Sequence, residues 1–253
     1  MTRIEWCDET LNPLGHGCYG PRGTAENPKV CPYCYARVLA RRDLRGCELC
    51  KQFIPHTHFE QLEKIKHWKK PRTIFMQSMG DLFHDAIQIE WIQEVFKACA
   101  AAPQHQYLFL TKNPSRYGSV IEFLEGERSP INGYLFAAFG ATATNEKQLY
   151  TAYESRAQWL SIEPLLEDIT DAFEECSTAF APHDSGEHPR WEWVVIGAET
   201  GNRKGKISPK LEWIESIVKN CKEMGTPVFM KDSLIPIIGE ENMLREFPWK
   251  ENT

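Results

Sequence analysis

The sequence predicts an α/β fold built on a parallel sheet, and three observations carry that prediction. Short, almost wholly apolar runs recur along the chain, segments with helical spacing of apolar residues lie between them, and reactive polar residues stand directly after the runs. Strands apolar on both faces belong in a parallel sheet covered by helices on each side. Six or seven such strand–helix units predict a partial or complete (β/α) barrel of the TIM type, with an open doubly wound sheet as the alternative. At 253 residues and 42% hydrophobic content, the chain is long enough to fill one such domain spanning 1–253, with a cysteine-rich region at about 15–60.

Taken in order, MTRIEWCDETLNP carries charge within its first nine residues and has no long apolar run, so no signal peptide or membrane span is expected and a cytoplasmic protein is the default. YARVLARRDLRG (35–46) reads as one continuous helix, with Val38, Leu39 and Leu44 among arginines and Gly46 as the stop. RTIFMQS (72–78), QYLFLT (106–111), YLFAAFG (134–140), QWLSIE (158–163), WEWVVIGA (191–198) and TPVFMK (226–231) are of strand length and rich in aromatic or β-branched residues. IEWIQEVFKACAAA (89–102) and PKLEWIESIVKNCKEMG (209–225) have helical periodicity, the second with Pro209 near its start and Gly225 past its end. STAFAPHDSGEHPR (177–190) is polar and reads as a surface excursion. No G-x-G-x-x-G occurs, which leaves a dinucleotide site without support.

Parallel barrels keep their chemistry at the carboxyl ends of the strands. The residues there are Ser78 and Asp81, Thr111 and Lys112, Thr142, Thr144 and Asn145, Ser161 and Glu163, Glu199 and Thr200, and Lys231 and Asp232. Asp81, Thr144 and Asn145 read equally well as helix N-caps. Lys112, Glu163, Glu199 and Lys231 are poor caps, and a charge directly after a buried strand needs a partner. Together they predict a polar pocket.

A reducing compartment turns the nine cysteines into thiols or metal ligands. Cys99 and Cys221, within helical patterns, read as inert buried thiols. Cys31, Cys34, Cys47 and Cys50 form C-x2-C-x12-C-x2-C, the pattern of a structural zinc site. A continuous helix over 35–46 would weigh against one such site, because eleven helical residues span roughly 16 Å. The other grouping joins Cys18 to Cys31 and Cys34. Three thiolates leave one corner of a 4Fe-4S cluster open to a substrate or cofactor, and the two glycines and two prolines of YGPRGTAENPKV let Cys18 loop back beside the pair. Cys47 and Cys50, with His56 and His58, then remain for a second metal site, zinc being the plausible ion.

CPYC places Tyr33 at the aromatic position of the C-x3-C-x-aromatic-C loop of radical S-adenosylmethionine enzymes, although twelve residues rather than three separate Cys18 from Cys31. More closely, IEWCDETLNPLGHGC, CPYCYAR, KKPRTIFMQSMGDLFHD, FLTKNPSRY, LSIEPLLEDI, WVVIGAETG and PVFMKDSL resemble, in order and nearly end to end, the phage-associated three-cysteine-motif family of unknown function, a radical-SAM-like group. That resemblance implies a TIM-type barrel holding a 4Fe-4S cluster and S-adenosylmethionine, acting on an unknown substrate with an external electron donor. It implies cofactor contacts at Ser78 and Asp81, a methionine carboxylate neutralised by Lys112 or Lys231, and ribose or substrate contacts at Glu163 and Glu199. The rival is a zinc-stabilised, non-catalytic adaptor for nucleic acid or protein. The net charge of −6 gives no general attraction to phosphate backbones, so nucleic acid would need a local basic face such as IKHWKKPR (65–72), which reads more simply as a solvated surface.

Overall fold

In the computed structural model, which describes residues 4–42, 46–126, 137–178 and 191–249, every apolar run singled out above contains a strand. These are β2 (Thr73–Met76), β3 (Gln106–Thr111), β4 (Ala137–Thr142), β5 (Trp159–Ile162), β6 (Trp193–Ile196) and β7 (Val228–Met230). A seventh, β1 (Glu9–Leu11), precedes them. Its three residues, ETL, are too few to show a pattern in sequence.

The chain divides into two compact units, Met1–Phe139 and Gly140–Thr253. In the first, β1 pairs with β2 and β2 with β3, all parallel. In the second, β4, β5, β6 and β7 pair successively, again all parallel. Neither unit contains the reversal of strand order that a doubly wound sheet requires. Each crossover carries helix: α1 (Tyr35–Ala40), α2 (Glu48–Gln52) and α3 (Glu63–His67) before β2, α4 (Ile89–Ala100) before β3, α5 (Tyr117–Gly126) before β4, α6 (Glu146–Glu154), α7 (Thr170–Thr178) and α8 (Leu211–Met224) before β5, β6 and β7. A short α9 (Ile235–Ile238) follows β7.

The core of the first unit is aromatic. Phe96 stacks on Phe109 at 4.8 Å, Phe109 on Phe139 at 5.5 Å, and Phe83 meets Tyr117 edge-on at 4.6 Å. The second unit packs Leu160, Ile162, Val194 and Ile196 under Phe173, Ile214 and Ile217 of the covering helices. Burying such surfaces is the main favourable term in either unit. Cys99 and Cys221 face these cores, as inert thiols should.

Two sequence expectations are corrected. The helix read over 35–46 ends at Ala40, and Arg41 is its C-cap. Its apolar face is only Ala36, Leu39 and Ala40, packed on Phe53 and Met79, and Arg41 and Arg42 beyond it are exposed, so nothing buried carries it further; Leu44 lies outside the described residues. The polar excursion begins later than expected, since Ser177 and Thr178 belong to α7, and the rest of it, 179–190, lies outside the described residues. The start and stop of α8 agree with expectation, Gly225 forming a left-handed C-cap at φ 70°. Among the described residues no helix is long and apolar enough to cross a membrane.

Candidate functional site

The twelve residues between Cys18 and Cys31 close on themselves. Lys29 N–H donates to the Tyr19 carbonyl at 2.7 Å, Gly23 N–H to Gly20, and Thr24 N–H to Asn27, so the two arms of the excursion run back to back. Gly20 sits at the clasp with φ +84°, and a Cβ there would lie 1.9 Å from the Lys29 carbonyl oxygen. Only glycine fits both the backbone conformation and the approach. Cys18 is thereby returned beside CPYC, and Cys18 and Cys34 pack against one small apolar group, Ala36, Ala40, Phe53 and Met79. Gly20→Ala is expected to part the arms and speed the reaction of Cys18 with a thiol reagent several-fold while leaving the far-ultraviolet circular dichroism unchanged. An unchanged reaction rate in that variant would show the clasp to be dispensable.

Backbone donors serve the sulfurs. Gly20 N–H points at Cys18 Sγ at 3.2 Å, and Arg37 N–H at Cys34 Sγ at 3.4 Å, Cys34 being the N-cap of α1. Burial pushes the Cys18 thiol up to about 12, and the charges of Asp81, Cys34 and Cys31 add to the rise against the Gly20 bond. Burial likewise raises Cys34, with Cys31 adding to it and the Arg37 N–H and Lys112 opposing. Cys18 and Cys34 each feel the charge of their companion cysteines, and a bound cation is what would favour their thiolate forms. Lys112 stands among them, its ammonium 5.8 Å from the Tyr33 ring centre. Burial alone would lower that ammonium, yet Tyr33, Cys31, Asp81 and Cys18 hold it above the ordinary lysine value. The donor set fits an iron–sulfur cluster: three cysteines, N–H groups on two sulfurs, and a neighbouring cation.

Asp81 binds within the protein. Its Oδ1 accepts from Phe83 N–H and the Thr111 hydroxyl, and its Oδ2 from Lys112 N–H at 3.1 Å. The carboxylate therefore ties the end of β2 to the end of β3. Ser78 donates to Asn12 Oδ1 at 3.3 Å, and its carbonyl accepts from the Tyr35 hydroxyl. In the second unit Lys231 is ion-paired with Glu163. Glu199, almost wholly buried, takes Arg203 Nε on Oε1 and Nη2 on Oε2 at 2.5 and 2.7 Å. That guanidinium holds the Glu199 carboxyl below the usual range, with the Ile207 N–H helping against the opposing effect of burial. Asn145 is the N-cap of α6, its side chain accepting from Gln148 N–H, and Thr144 bonds Gln148 as well. Glu163, Glu199 and Lys231 thus have their partners within the second unit.

Sequence reasoning did not single out three residues that hold the excursion or the segment leading into it. Asn12 Oδ1 also accepts from Met79 N–H. Gln77, at φ +66°, accepts from Leu14 N–H and donates to the Gly15 carbonyl. His84 accepts Ala86 N–H on Nδ1, so its Nε2–H donates to the Gly20 carbonyl at 2.9 Å, while the ring meets Tyr19 edge-on. All three lie in the long motifs quoted above, which was their one signal.

Cys47, Cys50, His56 and His58 form a second group, with all four ligand atoms within 4.8 Å of one another. The Cys50 N–H, followed by His58, lowers the Cys47 thiol to about 6. Cys31 and Cys34 are not in this group, so the four-cysteine pattern read from spacing is not what the fold assembles. The basic stretch 65–72 is engaged locally: Lys66 pairs with Glu63, and Arg72 pairs with Glu9 and covers Trp68.

Residues 1–234 match the family described as Protein of unknown function (DUF5131). The chain belongs to that family. No curated protein matches the sequence. Among solved structures, a spore photoproduct lyase variant with the dinucleoside spore photoproduct is similar over 87% of this chain and 75% of its own, at 11% identity and a TM-score of 0.55. A second variant covers 87% and 76% at 11% identity and a TM-score of 0.56. A third, with bound AdoMet and the dinucleoside spore photoproduct, covers 86% and 74% at 11% identity and a TM-score of 0.53. The likeness shows the fold alone, an α/β partial barrel.

Proposed function

We propose that this family member is an iron–sulfur enzyme of the radical S-adenosylmethionine class, with Cys18, Cys31 and Cys34 holding a 4Fe-4S cluster. The observation that carries the reading is the clasp between Tyr19 and Lys29, which gathers three thiols from across twelve residues and sets them beside Lys112. Bound there, the cluster and S-adenosylmethionine would supply one-electron cleavage of the sulfonium to a 5′-deoxyadenosyl radical. The chain's own residues bind and orient. Lys112 is assigned to the carboxylate of the methionine moiety, where its charge is compensated by an anion. Asp81 is a positioning residue that fixes Lys112 through its main-chain N–H. Ser78, held on Asn12, lies next to the same junction.

Anaerobic purification should yield a brown protein with about four irons and four sulfides per chain. Incubation with dithionite and S-adenosylmethionine should release 5′-deoxyadenosine. Zinc in place of iron, dependent on Cys31 and Cys34, would overturn the reading in favour of a zinc-stapled adaptor.

A further inference from the structure

We propose that Cys47, Cys50, His56 and His58 form a separate, closed structural zinc site that fixes residues 12–17 ahead of Cys18. On a tetrahedral zinc, thiolate at about 2.3 Å and imidazole at about 2.0–2.1 Å stand about 3.6 Å apart. Here Cys47 Sγ lies 3.1 Å from His56 Nε2, and Cys50 Sγ lies 3.6 Å from His56 Nε2 and 3.7 Å from His58 Nε2. The two Cys50 separations match one ion at the centre, Cys47 and His56 stand closer than that, and all four ligand atoms lie within 4.8 Å of one another.

The outer contacts orient the rings. His56 Nδ1 donates to the Ile54 carbonyl at 2.7 Å, and His58 Nδ1 to Glu60 Oε1 at 2.6 Å. Each Nε2 then keeps its lone pair and turns it toward the sulfurs, the arrangement in which a second contact fixes the tautomer of a metal-bound imidazole. His16 N–H points at Cys50 Sγ at 3.4 Å. Local folding delivers the ligands: α2 ends at Phe53 in the left-handed region, φ 62°, and the chain turns back so that both histidines return over the cysteine pair. Four protein ligands fill a zinc coordination shell, which makes the site structural rather than catalytic.

The same loop grips the segment before Cys18. His58 N–H donates to the Pro13 carbonyl at 2.7 Å and His56 N–H to the Leu14 carbonyl at 3.5 Å. Gly15 passes so close that a Cβ would lie 2.7 Å from His56 Cε1. An ion that immobilises the two imidazoles also immobilises this strip. The anchoring of Cys18 rests on its reading as a cluster ligand, whereas the zinc site does not.

The test uses the full chain, purified anaerobically without chelator, with elemental analysis and zinc K-edge absorption spectroscopy. About one zinc per chain in a shell of two sulfurs and two nitrogens is expected, retained when Cys18, Cys31 and Cys34 are all replaced by alanine. A shell of four sulfurs, or loss of zinc in that triple variant, would overturn the site by returning the ion to the four-cysteine pattern. A folded wild-type protein devoid of zinc even after zinc is supplied would overturn it too, leaving a thiol–imidazole hydrogen-bond network. Cys47→Ser with His58→Ala should remove zinc and lower iron loading several-fold; unchanged iron in that folded double variant would refute the anchoring role. Should the double variant fail to fold, the wild-type spectrum still decides the site. Zinc without iron would refute the enzyme and spare this site, and iron without zinc would do the reverse.

Discussion

Cys34→Ala is expected to abolish iron binding and 5′-deoxyadenosine formation together, whereas Cys99→Ala leaves both at the parent level. In the proposed cluster Cys34 would supply one of three thiolates, and two are too few to hold a cubane whose remaining corner must stay open. Its sulfur also caps α1 by accepting Arg37 N–H, so the alanine variant loses a cap as well as a ligand. Cys34→Ser separates the two effects, because a serine hydroxyl restores the cap without restoring the thiolate. It should keep the helix and still lose the iron. Cys99, wholly buried on α4 and raised out of reach of ionisation by that burial, serves only packing. Equal iron loss from the Cys34 and Cys99 variants would overturn the ligand assignment.

Phe96→Ala should lower the free energy of unfolding by about 3–5 kcal/mol, the usual cost of removing a fully buried phenylalanine from a packed core. Its ring is stacked on Phe109 with planes 8° apart, and Phe109 stacks on Phe139 in turn. The effect should reach the site. Phe83, two residues after Asp81, meets Phe109 edge-on at 6.0 Å, and Phe109 lies two residues before Thr111, so both ends of the Asp81–Thr111 bond stand on this aromatic stack. Urea denaturation followed by circular dichroism measures the loss, and Phe96→Leu should recover more than half of it. A change below about 1 kcal/mol would show that the cavity collapses without cost.

Strands β2 to β7 were legible because each is short, apolar and flanked by polar residues, and QYLFLT became β3 with the same limits, Gln106–Thr111. Helix α8 was legible because Gly225 marks its end. The helix over 35–46 was over-read: helix-favouring arginines extend the pattern in sequence, but Arg41 and Arg42 have no core to face. Long-range brackets left no local trace. Gln77 reaches Gly15, and His84 reaches Gly20, across more than sixty residues, and neither partner is implied by anything beside it in the chain. The demand that Glu199 and Glu163 have partners was legible, and Lys231 was among the residues named, but Arg203, four positions after Glu199, was not. The Cys/His group fell short of a familiar finger spacing because the left-handed turn at Phe53 that folds it back cannot be read from a phenylalanine.

The clasp at Tyr19 and Lys29 makes the distance between the first two thiols along the chain irrelevant to where they end up. Residues 24–28 form an exposed tip beyond the point of closure. Lengthening or trimming that tip alters a solvent-facing appendage and leaves the sulfurs where they are, since loop-closure entropy changes only slowly with length. The placement of these sulfurs is set by a knot of backbone contacts at the neck of the excursion, and a relative with a different number of residues between these cysteines is expected to hold them in the same place.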